Sequence, residues 1–243
     1  MKARIKWTKT GVLKFIGHLD VQRYFHKAMM RAGLPVSFSQ GMSPHQIMSF
    51  AAPLGIGMTS EGEYADITFD WSYSGQEMMD RMNAVMNEGI SVTRFRGIED
   101  REKNCMAVTA ACDYRVGFRK GHYFTEPFLK RTQMFAMQEE IMVMKKTKRS
   151  EKIVDIAPMI LDIHTEEGGD ETIFLKTVAG SSQNLRPQTV MEAFCNYLGY
   201  DYDPAGFTIH RLETYLERDG QLRPLDSVGW EVTEPVIPEK NSN

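Results

Sequence analysis

His18 and His45 are the side chains whose type and setting best suit proton transfer or ligand binding. His18 lies in Phe15-Ile-Gly-His-Leu-Asp20, and His45 closes Phe38-Ser-Gln-Gly-Met-Ser-Pro-His45. An imidazole titrates near neutral pH, so each can act as acid or base, and Asp20 could orient one of them. Two histidines and a carboxylate also make a metal set if they converge, which spacing alone does not decide. The plainer role for Asp20 is to satisfy free amides in the first turn of a helix. Arg23 follows Asp20 at i+3, giving either an exposed ion pair worth about 0.3 kcal/mol or a planar fork for a phosphate or carboxylate. Ser39, Gln40, Ser43 and His45 offer donors and acceptors without strong charge. That suits a nucleobase or ribose, or a loop that satisfies itself. Gly41 permits positive φ and Pro44 fixes its own, so the loop is expected to be rigid.

A second cluster is cationic. Lys145, Lys146, Lys148, Arg149 and Lys152 crowd one expected hairpin, and such a tip either contacts phosphates or is a solvated turn. Asp155 lies where the strand resumes. Arg186 stands just outside an expected helix that opens with Pro187, and Arg211 is expected to face the same groove.

The elements that must position these groups follow from periodicity. Val21, Tyr24, Phe25, Ala28, Met29 and Ala32 recur at helical spacing, which predicts a helix over 18–32, entered through Gly17 and stopped by Gly33-Leu34-Pro35. Its N-terminal amides would attract anions. Strands are expected at 2–8, 12–16, 36–38, 46–51, 63–70 and 90–97, with a second helix at 75–87. The later half repeats the theme: strands at 106–118, 140–146, 152–163, 171–178 and 206–215, helices at 125–138 and 187–198. The order predicts an α+β protein of two tandem ferredoxin-like α/β sandwich units with antiparallel sheets. The units are expected at 1–100 and 105–217, joined by a polar linker. Residues 218–243 carry three prolines and little periodicity, which predicts a poorly ordered extension.

Composition narrows the function. The chain has 243 residues, 42% of them apolar, enough for packed cores. A net charge of -3 argues against coating nucleic acid by bulk charge, while leaving room for a local basic patch. No run of 18 apolar residues occurs, and the start alternates like a strand, so a cytoplasmic protein without membrane contact is expected. Cys105, Cys112 and Cys195 are widely spaced and form no zinc or cluster motif, so no metal or cofactor is expected and the thiols read as reduced and buried. The 17 methionines are scattered through amphipathic segments and read as core fillers. A Gly-x-Ser-x-Gly elbow, a Walker loop and a dinucleotide fingerprint are absent.

Several of these motifs together carry a resemblance. The basic-aromatic first strand, Phe15-Ile-Gly-His-Leu-Asp20, Arg23, Ala32-Gly-Leu-Pro35, Ser39-Gln-Gly-Met-Ser-Pro-His45, Ser49-Phe50 and Gly62-Glu-Tyr-Ala-Asp66 resemble the bacterial radical SAM-linked protein family. The likeness runs from about residue 2 to about residue 211 and is most specific in the first third. A Lys/Arg-rich hairpin leading to an Asp near 155 is a further point of likeness. The chain departs from the usual pattern at Met42 and Ser43, where Phe and Asn are common, and at Gln46, where Pro often follows the His. In that family the domain occurs alone or fused behind a cobalamin-binding radical SAM protein. This chain lacks the three clustered cysteines a radical SAM enzyme needs. The resemblance therefore implies an accessory protein that presents RNA or another phosphate-bearing substrate to a separate radical SAM partner. Two alternatives stay open: an RNA- or nucleotide-processing enzyme using His18 and His45, and a protein-binding adaptor without nucleic-acid contact.

Overall fold

The structure is a computed structural model that describes residues 1–119, 128–146, 151–165 and 172–237, with backbone alone at 128–130 and 146. In chain order its elements are β1 (Lys2–Lys9), α1 (His18–Arg31), β2 (Met48–Phe50), β3 (Thr59–Thr68), α2 (Gly75–Asn83), β4 (Ile90–Ile98), α3 (Cys105–Val108) and β5 (Thr109–Phe118). There follow α4 (Phe128–Ala136), β6 (Met142–Lys146), β7 (Glu151–Asp155), β8 (Ile160–Thr165), β9 (Thr172–Val178), α5 (Pro187–Leu198), β10 (Phe207–Arg218), β11 (Gln221–Pro224) and β12 (Trp230–Glu231). The protein is thus α+β, with a predominantly antiparallel sheet. Among the described residues no helix is long and apolar enough to cross a membrane.

The chain divides into two compact units. The first comprises Met1–Thr109 and the chain from Glu213 onward; the second is Ala110–Leu212. In the first, β1 alternates so that Ala3, Ile5 and Trp7 are buried on one face. β1 pairs antiparallel with β3 and β4, placing Ile5 opposite Ala65 and Phe95. β2 pairs with the far edge of β3, giving the order β4-β1-β3-β2. α1 lays Val21, Phe25, Ala28 and Met29 on this sheet, and α2 adds Met78 and Met82. Gly33 stops α1 with φ 63°, a left-handed conformation that side chains disfavour.

In the second unit the sheet order is β10-β5-β9-β8. Numbering the four core strands of each unit in chain order, both sheets read fourth, first, third, second, with a helix after the first strand and after the third. The hairpin β6–β7 is inserted between α4 and β8 and forms its own two-stranded sheet, whereas at the equivalent place in the first unit, between α1 and β2, the chain makes with itself only the Phe38–Gln46 bridge.

Several sequence expectations need correction. Residues 11–15 form a 3-10 helix instead of a strand, because Gly11 turns the chain at φ 57°. The expected strand at 36–38 reduces to isolated bridges, Val36 to Phe69 and Phe38 to Gln46. The expected strand at 152–163 breaks at Ile156, where Ala157–Met159 forms a 3-10 turn opened by Pro158. The largest difference concerns the segment from Arg218, expected as an extension. It pairs as β11 with β10 and as β12 with β4, and it buries Leu225, Val228 and Val232. Leu225 and Val228 join a cluster with Tyr64, Cys105 and Leu216, while Val232 joins the core under α1 and α2, so their spacing follows no single period. The backbone fits closely there: a Cβ added at Gly97 would lie 2.5 Å from the Trp230 ring.

The same segment helps close a buried ion pair on the other face of β1. Arg4 is fully buried, and its Nε and Nη2 donate to Asp66 at 2.8 and 3.0 Å. Arg4 also donates to the carbonyls of Leu225 and Lys103, and the Cys105 amide donates to Asp66 at 2.8 Å. Five hydrogen bonds thus join β1, β3, the 103–105 segment and the C-terminal chain, so the polar residues after β4 are bound into the first unit.

Candidate functional site

His18 is the first residue of α1, and β1 and β2 pack around it. Its Nε2 lies 3.1 Å from Gln22 Nε2, one turn along the helix. An amide nitrogen can only donate, so His18 Nε2 accepts and the ring proton sits on Nδ1. Burial lowers the His18 pKa; Glu63 opposes that shift and Lys9 adds to it. The ring is therefore neutral at pH 7, and it meets the Phe50 ring edge-on at 6.1 Å.

Beneath His18 lies a small cavity lined by Trp7, Lys9, Phe50, Glu63 and Tyr64 among others. The volume open to the centre of a water molecule is about 10 Å³. Lys9 is buried and donates to the Ile16 carbonyl at 2.8 Å. Trp7 pairs with Glu63 across the strands and is 2% exposed, and its Nε1–H has no acceptor among the described residues. A buried donor left without a partner costs about 1–3 kcal/mol. Trp7, Lys9 and Glu63 escaped sequence reading. The signal was present in the alternation Ile5-x-Trp7-x-Lys9, which sets a charged residue in the buried row of a strand.

The other residues singled out near His18 do not join it. Asp20 is exposed and, among the described residues, takes only the Arg23 guanidinium, at 3.3 Å. His45 is exposed; its Nδ1 lies 2.9 Å from Ser39 Oγ, which also accepts the His45 amide at 3.1 Å. The Ser39 amide donates to the His45 carbonyl, so this loop closes on itself, with Gly41 at φ 119° and Gln40 and Ser43 facing solvent. Gln46 is buried against His26 at 2.9 Å. Among the described residues no hydrogen bond joins His18, Asp20 and His45, and no three His, Cys, Asp or Glu are placed to hold a metal ion.

The second unit has a different kind of site. Arg186, Thr189, Ala193, Asn196 and Tyr197 recur at helical spacing along one face of α5, and β6 with Val154 forms the facing wall. The groove between them has a volume of about 970 Å³. It brings together Lys145 and Arg186, two residues far apart in sequence, and adds the carboxylates Glu140 and Glu192. Asp155 holds the base of the hairpin: its carboxylate accepts the Ile141 amide at 2.9 Å and the Ala157 amide at 3.0 Å. Arg211 is not part of the groove lining. It is buried, with its guanidinium over the Tyr114 ring at 5.5 Å and its Nη2 3.4 Å from the phenol oxygen. Lys146 pairs through its backbone with Glu151, while Lys148 and Arg149 lie outside the described residues.

Among solved structures, the chain is similar to "Structure of H/ACA RNP bound to a substrate RNA containing 2'-deoxyuridine", with 10% identity and a TM-score of 0.45, covering 87% of this chain and 47% of that one. It is similar also to "Crystal Structure of a Cbf5-Nop10-Gar1 Complex", with 12% identity and a TM-score of 0.45, covering 92% and 52%. The chain thus spans about half the length of these proteins. Likeness at that level carries no inference about activity. No curated protein matches the chain. Residues 2–187 match the model of the family described as "Uncharacterized protein conserved in bacteria (DUF2344)", and the chain belongs to that family.

Proposed function

We propose that the protein is an accessory binding protein that holds RNA, or another phosphate-bearing substrate, in the groove between α5 and the inserted hairpin. The observation that carries this reading is the groove itself: about 970 Å³, with Lys145 on one wall and Arg186 on the other. That volume is in the range of small-ligand sites, about 300–1,000 Å³. Ammonium and guanidinium groups take phosphate oxygens, while the Asn184 and Asn196 amides and the Tyr197 ring suit the edges and face of an unstacked base. Glu140 and Glu192 repel a continuous polyanion, which favours one or two nucleotides over a long phosphate track. The common strand order of the two units supports reading each as a ferredoxin-like α/β sandwich. The resemblance to the radical SAM-linked family adds a separate partner that performs the chemistry.

A titration of fluorescent single-stranded RNA tests the reading. The Lys145→Glu, Arg186→Glu double variant is expected to weaken binding more than tenfold. It should also flatten the dependence of log affinity on log salt by about 1.4, the release expected for two single-strand phosphate contacts. Unchanged affinity would remove the groove from the proposal.

One observation favours a second reading, the protein adaptor. Val12, Phe15, Leu19 and Ile56 are all exposed on the first unit, and the Gly57 amide donates to the Lys14 carbonyl, tying two of their loops together. Substituting Phe15 and Leu19 by Asp should then abolish partner capture while leaving RNA affinity intact.

A further inference from the structure

Trp7 offers a buried donor that no group among the described residues accepts, and its side chain lines the cavity under His18. Backbone and side-chain donors at this depth are almost always paired, so the indole N–H points to a partner from outside the chain. Size limits that partner. The space open to a water-sized centre is about 10 Å³, close to the least that holds one water and too little for a second heavy atom. Charge limits it further. The cavity wall carries one ammonium, Lys9, and one carboxylate, Glu63, so it has no net charge with which to hold a bare ion. Polarity meets the remaining requirement: a buried water needs two to four polar neighbours, and Trp7, Lys9, His18 and Glu63 all line the space.

We infer that this cavity is a binding site for a single ordered water that accepts the Trp7 Nε1–H and links β1 to the first turn of α1. The water supplies the partner that the indole lacks, and it joins the polar groups around a histidine that already uses Nε2 to accept from Gln22. His18 is then a ring held from both sides: Gln22 on the helix side and the water network on the sheet side. This site belongs to the first unit and is independent of the groove in the second.

The experiment is water–protein NOE spectroscopy on the ¹⁵N-labelled full chain. Its three tryptophans give three indole signals. Trp71→Phe and Trp230→Phe assign theirs, and the remaining signal is Trp7, so no substitution in the cavity is needed. The expected result is a cross-peak from the Trp7 indole proton to water, with the sign of a long-lived bound molecule, together with slow exchange of that proton. A slowly exchanging Trp7 indole without a water cross-peak would show a dry cavity and overturn the inference. So would an indole proton that exchanges as fast as that of exposed Trp230.

Discussion

The two units share an order of strands and helices and differ in where they place their polar groups. The first gathers them tightly: Lys9, His18 and Glu63 line a cavity with room for one water, and Arg4 and Asp66 are buried on the opposite face of β1. The second spreads them along an open groove, because the inserted β6–β7 hairpin stands off α5 and leaves about 970 Å³ between them. The lesson is that the shared scaffold does not set the site. An insertion makes a binding groove, whereas a buried charge in an alternating strand makes an interior network.

Substitutions that act on one unit and spare the other test this contrast. The largest effect is expected from Asp66→Ala, which leaves Arg4 charged and buried without its partner, at a cost of about 3–5 kcal/mol. Thermal unfolding should show the loss, and hydrogen exchange should place it in the first unit, sparing α5. In the second unit, Asp155→Ala removes the carboxylate oxygen that accepts from two amides at the hairpin base and should cost about 2 kcal/mol. Its RNA affinity should fall although Asp155 lies outside the groove lining. Lys145→Ala and Arg186→Ala, each losing one charge-assisted contact worth about 1.5 kcal/mol, should each weaken RNA binding about tenfold with no change in melting temperature.

Acid should affect the first unit through His18. Its folded pKa lies below the ordinary 6.5, so the unfolded chain binds the proton more readily. The stability contributed by neutral His18 is complete above pH 6.5 and is lost as pH falls through the folded value. Denaturant titrations across pH 7 to 5 should show this slope, and His18→Gln should remove it. The smallest effect belongs to Asp20→Asn: its pair with Arg23 is exposed, and about 0.3 kcal/mol is expected.

How far these regions were legible in the sequence depends on the range of the interactions that build them. α1 was readable because Val21, Phe25, Ala28 and Met29 repeat at helical spacing and Gly33 ends the run. The Lys145 hairpin and Arg186 were readable as local charge and helix-start signals. Their convergence was not, since α5 and β6 meet only through the tertiary fold. Asp20 and His45 attracted attention by type and proximity, yet their partners are the local Arg23 and Ser39. The C-terminal chain was misread because Leu225 and Val228 are buried beside Ala51, Tyr64 and Cys105, all more than a hundred positions away in the chain. Trp7 and Glu63 become neighbours only through strand register, which a one-dimensional pattern does not carry.

The most direct test of the groove as the substrate site is photochemical crosslinking of bound single-stranded RNA, with the modified peptides mapped on the unsubstituted protein. Crosslinks concentrated on β6 and on the Arg186 to Tyr197 face of α5 are the expected result. Crosslinks confined to the 39–45 loop and the His18 end of α1 would contradict it and place the RNA on the first unit.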